Sequence, residues 1–209
     1  MKREIILASA SPRRRELLEQ VGYHFTVCPA CGEEVMQGST PEEIVKNLAA
    51  GKAEEVADRL LGETEYKGKA LLFMGADTVV AIDGQILGKP VDEEEAFSML
   101  SRIRGNVHEV STGVCLIRVT EDGKRITESF AQTTRVEVYP MTEDEIWAYI
   151  RSGDCKDKAG AYGIQGAFAA YIKGITGDYN NVVGLPLGLV CQKLREWGIR
   201  PEPVVDKEE

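Results

Sequence analysis

Ala70-Leu-Leu-Phe-Met-Gly75-Ala76-Asp77-Thr78-Val-Val-Ala-Ile82 is the stretch on which the fold of this 209-residue chain turns. Ala70–Met74 has no polar alternation, so it predicts a strand buried on both faces, as in a sheet covered by helices. Asp77 and Thr78 interrupt the apolar run. A carboxylate beside such a strand is costly to keep charged unless a cation meets it. It either ends the strand and caps a turn or belongs to a functional site. Gly75 and Ala76 are small enough for a ligand to approach the backbone just before it. Asp83-Gly84 then signals a two-residue hairpin, with Gln85–Lys89 returning. Lys89 closes that strand and brings a positive charge near Asp77.

Working outward, Glu4–Ser9 reads as a first strand and Ser11-Pro12 as a helix start, with Ser11 at the N-cap and Pro12 at N1. Leu17, Leu18 and Val21 make its apolar stripe and Gly22 its stop. Arg13-Arg14-Arg15 occupies the first turn, where cations oppose the positive end of the helix dipole. Serine hydroxyls, free N–H groups and guanidinium forks at a strand-to-helix junction suit a polyanion. Thr40-Pro41-Glu42-Glu43 is a capping box, and the helix behind it carries Lys52 on its buried stripe, four residues from both Leu48 and Val56. That ammonium either snorkels to the rim of the core or reaches a phosphate or a carboxylate.

The remaining elements are a strand at Tyr23–Cys28, a helix capped by Asp92 and ended by Gly105, long strands at Val107–Thr120 and Arg125–Val138, and a helix opened by Thr142 and stopped by Gly153. A last helix carries Leu187, Leu189, Val190, Leu194 and Trp197. Asp157-Lys158-Ala-Gly160-Ala-Tyr162-Gly163-Ile-Gln165-Gly166 is a glycine-dense loop whose backbone can approach a ligand. Its Gln165 offers a donor and an acceptor, matching the imide edge of a pyrimidine.

Several signals point elsewhere and are set aside. Cys28-Pro-Ala-Cys31 lacks the second pair that zinc needs and the helix that a redox pair opens. Glu33 and Glu34 behind it are loop carboxylates able to join Asp77 around a divalent cation. Gly84–Lys89 is one residue short of a P-loop and has Pro90 where Ser or Thr should follow. His24 and His108 have no signalled partner, so structural roles are expected. A net charge of −9 argues against non-specific nucleic-acid binding. Five cysteines without a framework fit a reduced cytosolic setting. The run Ile5–Ala10 is too short for a signal sequence, and nothing reaches membrane-spanning length. A single domain over 1–198 is expected, with an acidic tail over 199–209 that frays.

Ala8-Ser9-Ala-Ser11-Pro12-Arg13-Arg14, Gly75-Ala-Asp77-Thr78, Lys89-Pro90, Asp157–Gly166 and Gly177–Pro186, in that order, resemble the Maf family of nucleoside triphosphate pyrophosphatases. The likeness runs from Leu7 to about Trp197. It implies an α/β fold with an elongated mixed sheet flanked by helices and two lobes with a central cleft, of the kind shared by Maf and ITPase-like proteins. It also implies a cytoplasmic homodimer. Asp77 matches the family's proton acceptor. Arg13, Thr78 and Gln165 match positions tied to substrate choice in the branch that hydrolyses dTTP and UTP. Ser9, Arg14, Lys52 and Lys89 match other substrate-binding residues, and Glu34 with Asp77 the metal neighbours. The implied reaction is metal-assisted (Mg, Mn or Co) water attack at the α-phosphorus, giving the monophosphate and pyrophosphate. The alternatives are a nucleotide-binding regulator of cell division with weak hydrolysis, and a phosphatase that removes the terminal phosphate. Cys28 and Cys31 fall outside the family pattern.

Overall fold

A computed structural model describes residues 4–202. Lys2, Arg3 and the tail from 203 onward lie outside the described residues. The long apolar stretch forms β3 (Leu71–Ile82), whose first six residues are all buried. Its neighbours are β1 (Glu4–Leu7), β2 (Thr26–Val27), β4 (Gln85–Leu87), β5 (Val107–Val119), β6 (Arg125–Val138) and β7 (Ile172–Thr176). They form one mixed seven-stranded sheet in the order β2-β1-β3-β5-β6-β7, with β4 also on β3. β1 runs parallel to β3 and to β2, while β5 and β4 run antiparallel to β3.

Helices cover both faces, as the unbroken apolar run requires. Leu71 and Phe73 face one cluster built on Ala49, Ala53, Val56 and Leu60 of α2 (Pro41–Leu61). Leu72, Met74 and Ala76 face the other. That second side gathers α1 (Pro12–Gln20), α3 (Glu93–Ile103), α4 (Glu143–Arg151) and α6 (Leu187–Glu196). The short helix α5 (Tyr179–Val183) packs beside β5 and β6.

Two glycines set how close α2 lies to the sheet. A Cβ on Gly75 would stand 2.8 Å from the Ala53 nitrogen and inside the Ala49 carbonyl oxygen, and one on Gly113 would stand 2.6 Å from the Lys46 nitrogen. So it is the α2 backbone, and not a ligand, that uses the missing side chain at Gly75.

The local signals act as chemistry dictates. Thr40 accepts from the Glu43 N–H, while the Glu43 carboxylate turns back to the Ser39 N–H. Thr142 and Glu145 close a full capping box. Asp83 and Gly84 both take positive φ in the hairpin. The expected strand at Tyr23–Cys28 shrinks to two residues, because Tyr23 turns into the core. β7 and α5 have no counterpart in the sequence reading. Beyond Gly198 the chain begins packed: Ile199 is buried and the Glu202 N–H donates to the Gly22 carbonyl. No helix among the described residues is long and apolar enough to cross a membrane.

Candidate active site

The register of β3 makes the site. On one edge it pairs with β5 from Leu71 to Ala81 without a break. On the other, β1 covers Leu71–Met74 and β4 covers Val80–Ile82. Residues 75–79 lack a strand partner on that edge, and Asp77 and Thr78 stand there. The gap opens into a cleft of about 760 Å³ lined by the end of β1, the start of α1, α2, the β4 end and the glycine loop. Ser9, Arg13, Arg14, Glu34, Lys52, Asp77, Thr78, Lys89 and Gln165 all line it, brought from six separate segments. Glu33 is exposed and is not part of the lining.

Asp77 and Thr78 point to opposite faces of the sheet, as successive strand residues must. Asp77 faces α2, where Lys52 pairs with its Oδ1 and with Glu34 Oε1 at 2.8 Å. The Lys52 and Asp77 side chains are only 17% and 13% exposed, whereas Glu34 is 58% exposed. The hydrogen bond from Lys52 holds the Glu34 carboxyl below its ordinary value, with Lys89 and Arg14 adding to this. Lys52 thus uses the second of the two options its place on the stripe left open.

Thr78 faces α1 and Arg14, which is 8% exposed. The Arg14 Nε donates to the Gly184 carbonyl (2.8 Å), Nη1 to Ser9 Oγ (2.9 Å) and Nη2 to Thr78 Oγ1 (3.1 Å). Thr112 Oγ1 donates to the Asn181 carbonyl at 3.0 Å, so its 2.9 Å contact with Thr78 must use the Thr78 proton. Donation therefore runs one way, from Arg14 through Thr78 and Thr112 into α5. Burial pulls the Arg14 pKa down and Asp77 pushes it back; a guanidinium stays charged regardless. Arg13 reaches Asp157 Oδ2 at 3.5 Å, and Arg15 is exposed. Ser11 holds the N-cap position without a side-chain cap bond; Ser9 Oγ accepts its N–H instead, at 3.3 Å.

Glu34 and Asp77 are the cleft carboxylates that share Lys52, two hard oxygen donors held around one positive charge. Among the described residues no three His, Cys, Asp or Glu side chains converge as a metal cage. Two carboxylates completed by phosphate oxygens and water make the donor set that Mg²⁺ takes in nucleotide sites. These residues fit a divalent ion on that chemistry.

The sequence reading did not assign Tyr149, Asp154, Asp157 or Lys158. Asp154, Asp157 and Lys158 line the cleft, and Tyr149 and Asp154 carry no sequence signal of a site. Cys28 and Cys31 accept from the two Arg59 amino groups at 3.1 and 3.5 Å. Glu55 ties down the Cys31 N–H at 2.9 Å. The pair anchors the loop leading to Glu34. His108 is buried with Nε2 2.7 Å from the Tyr162 hydroxyl, a structural role as expected.

A strand edge left open between a buried acid–base pair and an arginine-bearing helix start defines the class, an α/β protein with a charged cleft in an interrupted mixed sheet. The particular family follows from comparison. The model of the Maf-like proteins matches residues 4–197, and the chain belongs to that family. It is 52% identical to the dTTP/UTP pyrophosphatase of Agathobacter rectalis, over 94% of this chain and 98% of that one. It is 48% identical to the dTTP/UTP pyrophosphatase of Thermococcus gammatolerans, over 93% and 96%, and 43% identical to that of Lachnoclostridium phytofermentans, over 94% and 96%. A solved dITP/XTP pyrophosphatase from Mycobacterium abscessus matches 66% of this chain and 75% of its own at TM-score 0.32 and 14% identity. That likeness carries no argument.

Proposed function

We propose that this protein hydrolyses dTTP and UTP to the monophosphate and pyrophosphate, as the names of its relatives state for them. The observation that carries the reading is the charge arrangement. Lys52 bridges two carboxylates at the open edge of β3, while Arg14 is fixed on the far side of Thr78. A carboxylate placed beside fixed cations is what attack on a phosphoanhydride needs.

In this reading Arg13, Arg14 and Lys89 hold the triphosphate, and Ser9 and Thr78 add hydroxyl contacts. Asp77 accepts the proton of the attacking water as its oxygen bonds to the α-phosphorus. The bond from that phosphorus to the oxygen bridging to the β-phosphate breaks, and pyrophosphate leaves against Lys89 and Arg13. Lys52 holds Asp77 in place until substrate phosphates compete for its ammonium. A divalent ion (Mg, Mn or Co) on Glu34 and Asp77 would offset phosphate charge. Gln165 faces the base. Cytoplasmic residence and a homodimer belong to the same proposal.

A nucleotide panel scored for both products, on wild type and Asp77→Asn, tests it. Wild type should release pyrophosphate from dTTP and UTP. Asp77→Asn should lose about a hundredfold or more in rate while keeping the fold. Orthophosphate with a diphosphate as product, or undiminished turnover in the variant, would overturn the assignment. So would slow turnover on every nucleotide with binding intact, the behaviour of a regulator.

A further inference from the structure

The loop carrying Gln165 is held by a chain of polar contacts of which the reaction itself uses only the far end, Arg13. The Gly163 N–H donates to the Tyr149 hydroxyl at 3.2 Å, and that hydroxyl donates to Asp154 Oδ2 at 2.9 Å. Lys158 Nζ donates to the Asp154 carbonyl at 2.6 Å and pairs with Asp154 Oδ1 at 3.1 Å and Asp157 Oδ1 at 2.7 Å. Asp157 reaches on to Arg13. The loop lies directly on this network. A Cβ on Gly163 would come 2.7 Å from Lys158 Cε, and one on Gly166 would come 2.5 Å from Asp154 Oδ2. Tyr149 is buried, with its ring 5.1 Å from that of Phe168. Burial and the Asp154 contact push its pKa up, so it remains a protonated donor.

A glutamine amide can turn over and present either a donor or an acceptor to a base. Gln165 is exposed at the cleft wall. Its preference for one pattern therefore depends on how firmly the surrounding backbone is placed. Uracil and thymine show a carbonyl beside an N–H; cytosine shows an amine beside a bare nitrogen. We infer that Tyr149 and Asp154, clamped by Lys158, are positioning residues that fix the Gly163–Gly166 loop and so set the preference for uracil and thymine over cytosine. The inference rests on the proposed reading of Gln165 as the base contact. Neither residue touches the reacting phosphorus, and each acts through the loop.

The test is the ratio of kcat/KM for UTP over CTP in wild type, Tyr149→Phe, Gln165→Ala and the double variant. Tyr149→Phe keeps the ring and removes one oxygen, leaving the Gly163 N–H and one Asp154 oxygen without that partner. The expected result is a drop in the ratio of about tenfold, the worth of one buried hydrogen bond. It should come from a raised KM for UTP, with kcat falling by less than about threefold. Gln165→Ala should lower the ratio as well, and adding Tyr149→Phe to it should lower the ratio no further. Should Tyr149→Phe prove too unstable to assay, Asp154→Asn, which keeps size and removes the charge that holds Lys158, gives the same readout. A ratio that falls in Gln165→Ala but stays at wild type in Tyr149→Phe and Asp154→Asn overturns the inference and leaves the base contact standing. A ratio unmoved by Gln165→Ala removes the base contact itself, and the inference with it.

Discussion

Gly75→Ala places a methyl group between two backbones. Its carbon would stand 2.8 Å from the Ala53 nitrogen and 3.0 Å from its Cβ, and closer still to the Ala49 carbonyl oxygen. Ordinary contact needs about 3.5–4 Å, so the middle of α2 must back away from β3 by about 1 Å. No rotamer can relieve a clash with main-chain atoms. The cost therefore falls at the upper end of the overpacking range, about 3 kcal/mol. For a domain of this size that is a fall in melting temperature of about 6–12 °C. Lys52 lies in the same turn as Ala49 and Ala53 and would move off Asp77 with it. A displacement of about 1 Å at a reacting site is worth about a hundredfold in rate. The control is Gly51→Ala in the same helix, where an added Cβ meets nothing within 4 Å. It should stabilise by about 0.5–1 kcal/mol, since alanine is the better helix former. Thermal melts and pyrophosphate release on both variants decide. If Gly75→Ala melts within a degree of wild type and turns over normally, α2 does not set the Lys52–Asp77 contact.

Arg14→Lys keeps the charge but replaces three aimed donors by one flexible ammonium, leaving at least one of Gly184 O, Ser9 Oγ and Thr78 Oγ1 without its donor. A urea titration should show a loss of about 2 kcal/mol, with turnover reduced at least tenfold; unchanged stability would mean the guanidinium is not structural. Burial lowers the His108 pKa from 6.5 to about 4, so the folded protein resists a proton that the unfolded chain accepts. Between pH 6.5 and 4 the unfolded state binds more protons, and stability falls as the pH drops through that window. The difference between wild type and His108→Gln should shift by about 2 kcal/mol from pH 7 to pH 5, and parallel pH profiles would contradict the burial.

Much of the scaffold was legible because its signals are local. Asp83-Gly84 can scarcely be anything but a tight hairpin, and Thr142 with Glu145 caps its own helix. The apolar run of β3 required helices on both faces. Lys52 announced itself by interrupting a buried stripe. The three arginines of α1 looked alike in the sequence, yet only Arg14 is buried, because it stands three and four residues before Leu17 and Leu18 on the inward face. That periodicity was available to be read. The purpose of Gly75 was not, since nothing in the sequence says which backbone approaches it. β7 holds Gly174 at its centre, stops at Gly177 and carries no alternation, and the edge of β6 recruits it. The contacts that place the loop of Gln165 join residues of α4 to the glycine loop through side chains of mixed character. Tyr149 reads as one more apolar position of its helix until its hydroxyl is seen against Asp154.

Hydrolysis of UTP by the wild-type protein in water enriched in ¹⁸O tests the central claim most directly, because it reports which phosphorus the water attacks. The label should appear in the uridine monophosphate, with pyrophosphate released unlabelled. Label in pyrophosphate, or in free orthophosphate, would mean that the charges gathered along the open edge of β3 do not direct water to the α-phosphorus.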